Sequence, residues 1–94
     1  DVRLTLRMNA DSWVEVYDAA GKRLYYDVAA AAAVQRLAGA GPLRVVLGNP
    51  PGVALEVNGR AVTLPAGLRR AETVQFVVEP SGRLVRTRGG ADGG

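Results

Sequence analysis

The chain has 94 residues with 12 Lys plus Arg against 9 Asp plus Glu, a net charge of +3, and neither Cys nor His. That length suits one small domain that buries only roughly 60–65% of its unfolded surface, and without Cys or His it can rely on neither a disulfide nor a typical zinc or iron site. The small basic excess, carried by Arg everywhere except Lys22, permits contact with nucleic acid, an acidic polymer or anionic lipid but requires none of them.

Residues 2–8, "VRLTLRM", alternate strictly, with Val2, Leu4, Leu6 and Met8 on one side and Arg3, Thr5 and Arg7 on the other. This period of two predicts a half-buried strand that starts almost at Asp1, as expected of a domain excised from a longer protein. "NAD" at 9–11 is turn chemistry, because Asn and Asp side chains bond nearby backbone. A second strand is predicted over 12–17. It forms a hairpin through "DAAGK", which contains Gly21, with a third strand over 23–28 that turns Leu24, Tyr26 and Val28 inward. The five Ala at 29–33 favour helix by propensity, but a lone helical turn is marginal in water. The segment is therefore read as an irregular connection leading into a short strand over 33–37.

"AGAGP" at 38–42 interrupts the chain, "LRVVLG" at 43–48 predicts a strand rich in branched residues, and "GNPPG" ends it. In "VALEVNGRAVTL", 53–64, Val53, Leu55 and Val57 alternate with polar or small residues. Asn58-Gly59 then supplies the two positive-φ residues of a type I′ hairpin turn. "PAGLRRAE" reads as a loop, "TVQFVVE" as a strand with Val74, Phe76 and Val78 inward, and "RLVRTR" as a last strand after the "PSG" turn. These elements predict an all-β fold, a small Greek-key-like β-sandwich or partly open barrel of about 7–9 short antiparallel strands. One domain is expected over 1–88, with a disordered tail at 89–94. No apolar run approaches the roughly eighteen residues that cross a bilayer as a helix.

The residue types argue against an enzyme. The commonest proton shuttle near neutral pH is missing. Ser12 opens a strand and Ser81 lies in a turn, with no G-x-S-x-G elbow or base nearby. The acids are dispersed along the chain, with no pocket implied around any pair. "GNPPG" and "AGAGP" lack the spacing of phosphate-cradling loops, and "DAAGK" lacks the alternating oxygen ligands of a calcium loop. No cofactor or metal is therefore expected. Arg69, Arg70, Arg83, Arg86 and Arg88 have no interleaved aromatics and no groove-entering helix, so they read as a solvated basic edge rather than a nucleic-acid surface.

The aromatics concentrate in "SWVEVYDAAGKRLYY", 12–26. If Val14 and Val16 face the core with Leu4, Leu6, Leu24 and Tyr26, then Trp13, Glu15 and Tyr17 point the other way. Trp13 is then either covered by a loop or the barrel end, its indole N–H on a backbone carbonyl, or part of an exposed patch. The exposed patch would comprise Trp13, Glu15, Tyr17 and Tyr25 flanked by Arg3 and Arg7, a composition typical of binding hot spots.

Three segments carry a resemblance: S-W-V-E-V-x-D-A-x-G-K-x-L at 12–24, P-L-x-V-x-L-G at 42–48, and V-x-L-x-V-N-G-x-x-V-x-L at 53–64. In this order and spacing the chain resembles, over nearly all of residues 2–80, the C-terminal periplasmic domain of the RodZ family of bacterial cell-shape proteins. It departs from the family pattern at Ala29 to Ala33. The resemblance implies a cytoplasmic helix-turn-helix region that contacts the actin-like filament protein MreB, one inner-membrane helix, a Pro/Ser/Thr-rich linker, and a β domain in the periplasm. MreB contact would belong to that cytoplasmic region and not to these residues. The share implied for this domain is a non-catalytic contact with periplasmic cell-wall elongation proteins. The alternative is a glycan-binding module in which Trp13 and Tyr25 stack on peptidoglycan, and a spacer without a partner is the third reading.

Overall fold

In the computed structural model, residues 1–87 form nine strands in chain order: β1 (Val2–Met8), β2 (Ser12–Tyr17), β3 (Arg23–Ala29), β4 (Val34–Gly39), β5 (Leu43–Leu47), β6 (Val53–Val57), β7 (Arg60–Val62), β8 (Val74–Val78) and β9 (Leu84–Arg86). Two short pieces interrupt them, a 3-10 turn at Pro50–Gly52 and a one-turn helix, α1, at Ala66–Arg69. The tail at 89–94 and Arg88 lie outside the described residues. No described helix is long and apolar enough to cross a membrane.

The strands build a four-stranded sheet, β4-β1-β6-β7, and a five-stranded sheet, β3-β2-β5-β8-β9, each antiparallel throughout. The two sheets stack as a sandwich and do not close into a barrel. Period-two alternation dictates this layering. Val2, Leu4, Leu6 and Met8 of β1 and Val53, Leu55 and Val57 of β6 form one inner layer. Val14 and Val16 of β2, Leu43, Val45 and Leu47 of β5, and Val74, Phe76 and Val78 of β8 form the other. All are buried, and Leu64 and Leu68 close the layer from the segment around α1.

Polar turns hold the ends in place. Asn9 and Ala10 both donate backbone N–H to the Gly52 carbonyl, at 2.7 and 3.3 Å. The Asp11 carboxylate accepts from Ala31 N–H at 2.8 Å, and the buried Ser12 hydroxyl accepts from Asn49 N–H at 3.0 Å. In the β2–β3 hairpin the Asp18 carboxylate accepts from Ala20 and Lys22 N–H at 2.9 and 2.8 Å, an Asx turn. Asn58 and Gly59 have φ of 52° and 84°, as a type I′ turn demands.

Most of the expected strands are present, with three differences. The alanine run turns irregularly, with Ala32 at φ 73°, and the following strand covers 34–39 rather than 33–37. The "PAGLRRAE" loop contains α1, whose purpose is the buried Leu68. The third difference matters most. On β3, Tyr26 and Val28 point outward, 48% and 52% exposed, whereas Leu24 and Tyr25 both pack against the core. The pairing explains it: Val16 lies opposite Tyr25 but Tyr17 lies opposite Arg23, so Leu24 is an extra residue in a bulge. One inserted residue inverts the facing of everything beyond it.

Phe76 is the largest fully buried side chain. Truncating it to Ala should lower unfolding free energy by about 3–5 kcal/mol, read as a fall in the urea midpoint with an unchanged m-value.

Candidate functional site

The outer face of the five-stranded sheet carries a linked set of aromatic and charged side chains across β3, β2 and β5. Trp13, Glu15 and Tyr17 lie on it because Val14 and Val16 between them are buried. Antiparallel pairing sets Trp13 opposite Val28, Glu15 opposite Tyr26 and Tyr17 opposite Arg23 on one side, and Tyr17 opposite Arg44 on the other. Directly opposed residues share a face, so the bulge in β3 is what delivers Tyr26 and Val28 here.

Glu15 is the hub. The Trp13 indole Nε1–H donates to one carboxylate oxygen at 2.8 Å, and the Tyr17 hydroxyl donates to the other at 2.5 Å. These two bonds, Trp13's first and then Tyr17's, hold the Glu15 carboxyl below the ordinary carboxylate range, with smaller help from Arg44 and Arg23. The same bond pushes the Tyr17 phenol up, since ionising it would set two negative charges against each other. Around the hub, Trp13 meets the Tyr26 ring edge-on, with centroids 4.9 Å apart and planes at 83°. The Arg23 guanidinium lies over Tyr26 at 4.4 Å, and that of Arg44 over Tyr17 at 4.2 Å. Gly48 makes room behind the indole: its N–H donates to the Trp13 carbonyl at 2.9 Å, and a Cβ there would lie 3.1 Å from the Trp13 Cβ.

The residues grouped by sequence reasoning therefore divide. Trp13, Glu15 and Tyr17 stand together, and the indole bonds a carboxylate rather than a backbone carbonyl. Tyr25 faces inward, packs against the core, and donates its hydroxyl to the Val28 carbonyl at 3.4 Å. Arg3 and Arg7 belong to β1 in the other sheet, so they project from the opposite side of the sandwich, where Arg7 Nε donates to Glu56 at 2.6 Å. Tyr26, Val28, Arg23 and Arg44 were missed. The alternation of "LRVVL" turns Arg44 outward, but only sheet order reveals that it neighbours Tyr17.

Chemically, the arrangement is an internally linked set of aromatic and charged side chains. Glu15 stays ionised with both oxygens engaged, which suits it to holding neighbours and not to carrying protons. Among the described residues no three acidic side chains gather as they would around a metal ion.

Glu15 contributes fully above the ordinary glutamate pKa of roughly 4.3, and this contribution disappears as pH falls through its lowered folded value. Between pH 6 and pH 3 the wild-type chain should therefore lose about 2–4 °C more in Tm than Glu15→Gln, the scale of a solvent-screened interaction. Equal losses in the two melting series would show that ionisation of Glu15 contributes no stability.

No solved structure matches the chain. A family model described as the RodZ C-terminal domain matches residues 5–77, a span that runs from β1 into β8 and includes every residue of the Glu15 hub. The chain thus belongs to the RodZ C-terminal domain family, a family of cell-shape proteins.

Proposed function

We propose that this domain is the non-catalytic, periplasmic end of a single-pass inner-membrane cell-shape protein, one that couples the MreB cytoskeleton to peptidoglycan elongation. In this reading it meets cell-wall elongation proteins through the outer face of β3, β2 and β5. Family membership supports the cell-shape role. The observation that carries the binding reading is the Glu15 hub with exposed Tyr26 and Val28 at its border. Its side chains are already fixed by one another, so a partner immobilises few rotamers on docking. Aromatic and Arg side chains are also the types that dominate binding energy at protein interfaces.

The glycan-binding alternative fits this geometry less well. Sugar rings stack on open, flat aromatic faces, but Trp13 and Tyr26 meet edge to face, and the Tyr17 and Tyr26 rings each carry a guanidinium over one face. Tyr25, the second stacking residue of that reading, packs inward.

Replacing Trp13 or Tyr26 with Ala should reduce capture of envelope proteins on the immobilised domain by about tenfold, the scale of an interface hot spot, while Tm stays within a few degrees. A collapse of roughly 3–5 kcal/mol on Trp13→Ala would make the indole part of the fold and remove the proposed site. Pelleting with purified sacculi that survives high salt and vanishes with Trp13→Ala would favour the glycan reading.

A further inference from the structure

The outer face of the other sheet has a different character. Arg3, Thr5 and Arg7 project from β1; Arg36 of β4 lies opposite Thr5 on one side and Glu56 of β6 on the other. Together with Gly59 these residues line a shallow depression of about 500 Å³. Three guanidinium groups meet one carboxylate there, and Glu56 is already engaged by Arg7 at 2.6 Å. Arg3 and Arg36 make no ion pair among the described residues. With three Arg and one Glu the groove has a net charge of +2, because Glu56 offsets only one of the three guanidinium groups.

Its spacing narrows the choice of anion. Successive outward rows on β1 (Arg3, then Thr5 beside Arg36, then Arg7) are roughly 6.8 Å apart, and adjacent strands about 4.8 Å. An extended peptide repeats its own side chains on one face at the same roughly 6.8 Å. Carboxylates on alternate residues of such a peptide fall in register with Arg3 and Arg36, each guanidinium able to take a carboxylate through charge-assisted hydrogen bonds, while Arg7 in the next row stays bound to Glu56. The chain itself has no two acidic residues two apart, so a second copy does not supply the motif.

The geometry points to this groove as a docking site for an extended acidic segment of another protein, with Asp or Glu at every second position. It is distinct from the aromatic face and lies on the opposite side of the sandwich.

A fluorescein-labelled peptide of alternating Glu and Thr tests it by anisotropy against the 94-residue chain at about 0.15 M salt, where long-range attraction is screened. The alternating peptide should bind at least fivefold more tightly than one of the same composition with its Glu residues contiguous, and more tightly than polyphosphate of equal charge. Arg3→Gln and Arg36→Gln should each weaken it about fivefold, whereas Glu56→Gln, which removes the one negative charge and frees Arg7, should tighten it about threefold. Arg44→Gln, on the aromatic face, should leave it unchanged. Equal or tighter binding of the contiguous peptide, of polyphosphate or of phosphatidylglycerol vesicles would overturn the proposal, as would indifference to Arg3 and Arg36 or no binding of the alternating peptide.

Discussion

The aliphatic layer between the two sheets is the constraint on which both outer faces depend. With no cysteine in the chain, the sheets are held by burial of Val, Leu and Phe side chains from β1 and β6 against those from β2, β5 and β8. Each buried side chain of this kind contributes roughly 1.5–3 kcal/mol, set against a comparable loss of chain entropy. Because strand residues alternate, fixing this inner layer fixes what each sheet shows to solvent. Leu4 and Leu6 inward means Arg3, Thr5 and Arg7 outward; Val14 and Val16 inward means Trp13, Glu15 and Tyr17 outward.

The aromatic face adds a second level of organisation. A carboxylate beside a Trp and a Tyr on one strand would be mobile in an isolated hairpin, where a two-stranded ribbon is itself marginal. Here β5 brings Arg44 over Tyr17 and β3 brings Tyr26 against Trp13. Glu15 is held from both sides along its strand, and the cluster is a single connected set of contacts spread over three strands. The bulge at Leu24 is integral to this: without the extra residue, Tyr26 would fall on the inner side and the indole would lose its edge-on neighbour. Bulges commonly re-aim side chains next to functional surfaces.

The sandwich thus presents two unlike surfaces back to back. One is aromatic, with its carboxylate held by Trp13 and Tyr17 and the guanidinium groups of Arg23 and Arg44 lying over Tyr rings. The other is a cationic groove with two guanidinium groups left without carboxylate partners among the described residues. The two surfaces lie on opposite sides of the buried layer, so each is set by its own sheet.

Local pattern alone carried a good deal. The alternation in "VRLTLRM" and "TVQFVVE", the turn chemistry of Asp18 and of Asn58-Gly59, and the breaks at Gly and Pro each act over a few residues. They could therefore be read without knowing the neighbours, as could the outward set of Trp13, Glu15 and Tyr17. What lay beyond reach depends on residues far apart in the chain. The choice of a sandwich over a barrel, the pairing of β2 with β5, and the placing of Arg3 and Arg7 on the opposite side from Trp13 all follow from sheet order. That order is decided by which apolar rows bury best together, a property of the packed molecule. The facing of β3 failed for the same reason: a period-two count has no term for an inserted residue, and only pairing with β2 shows that Leu24 is one.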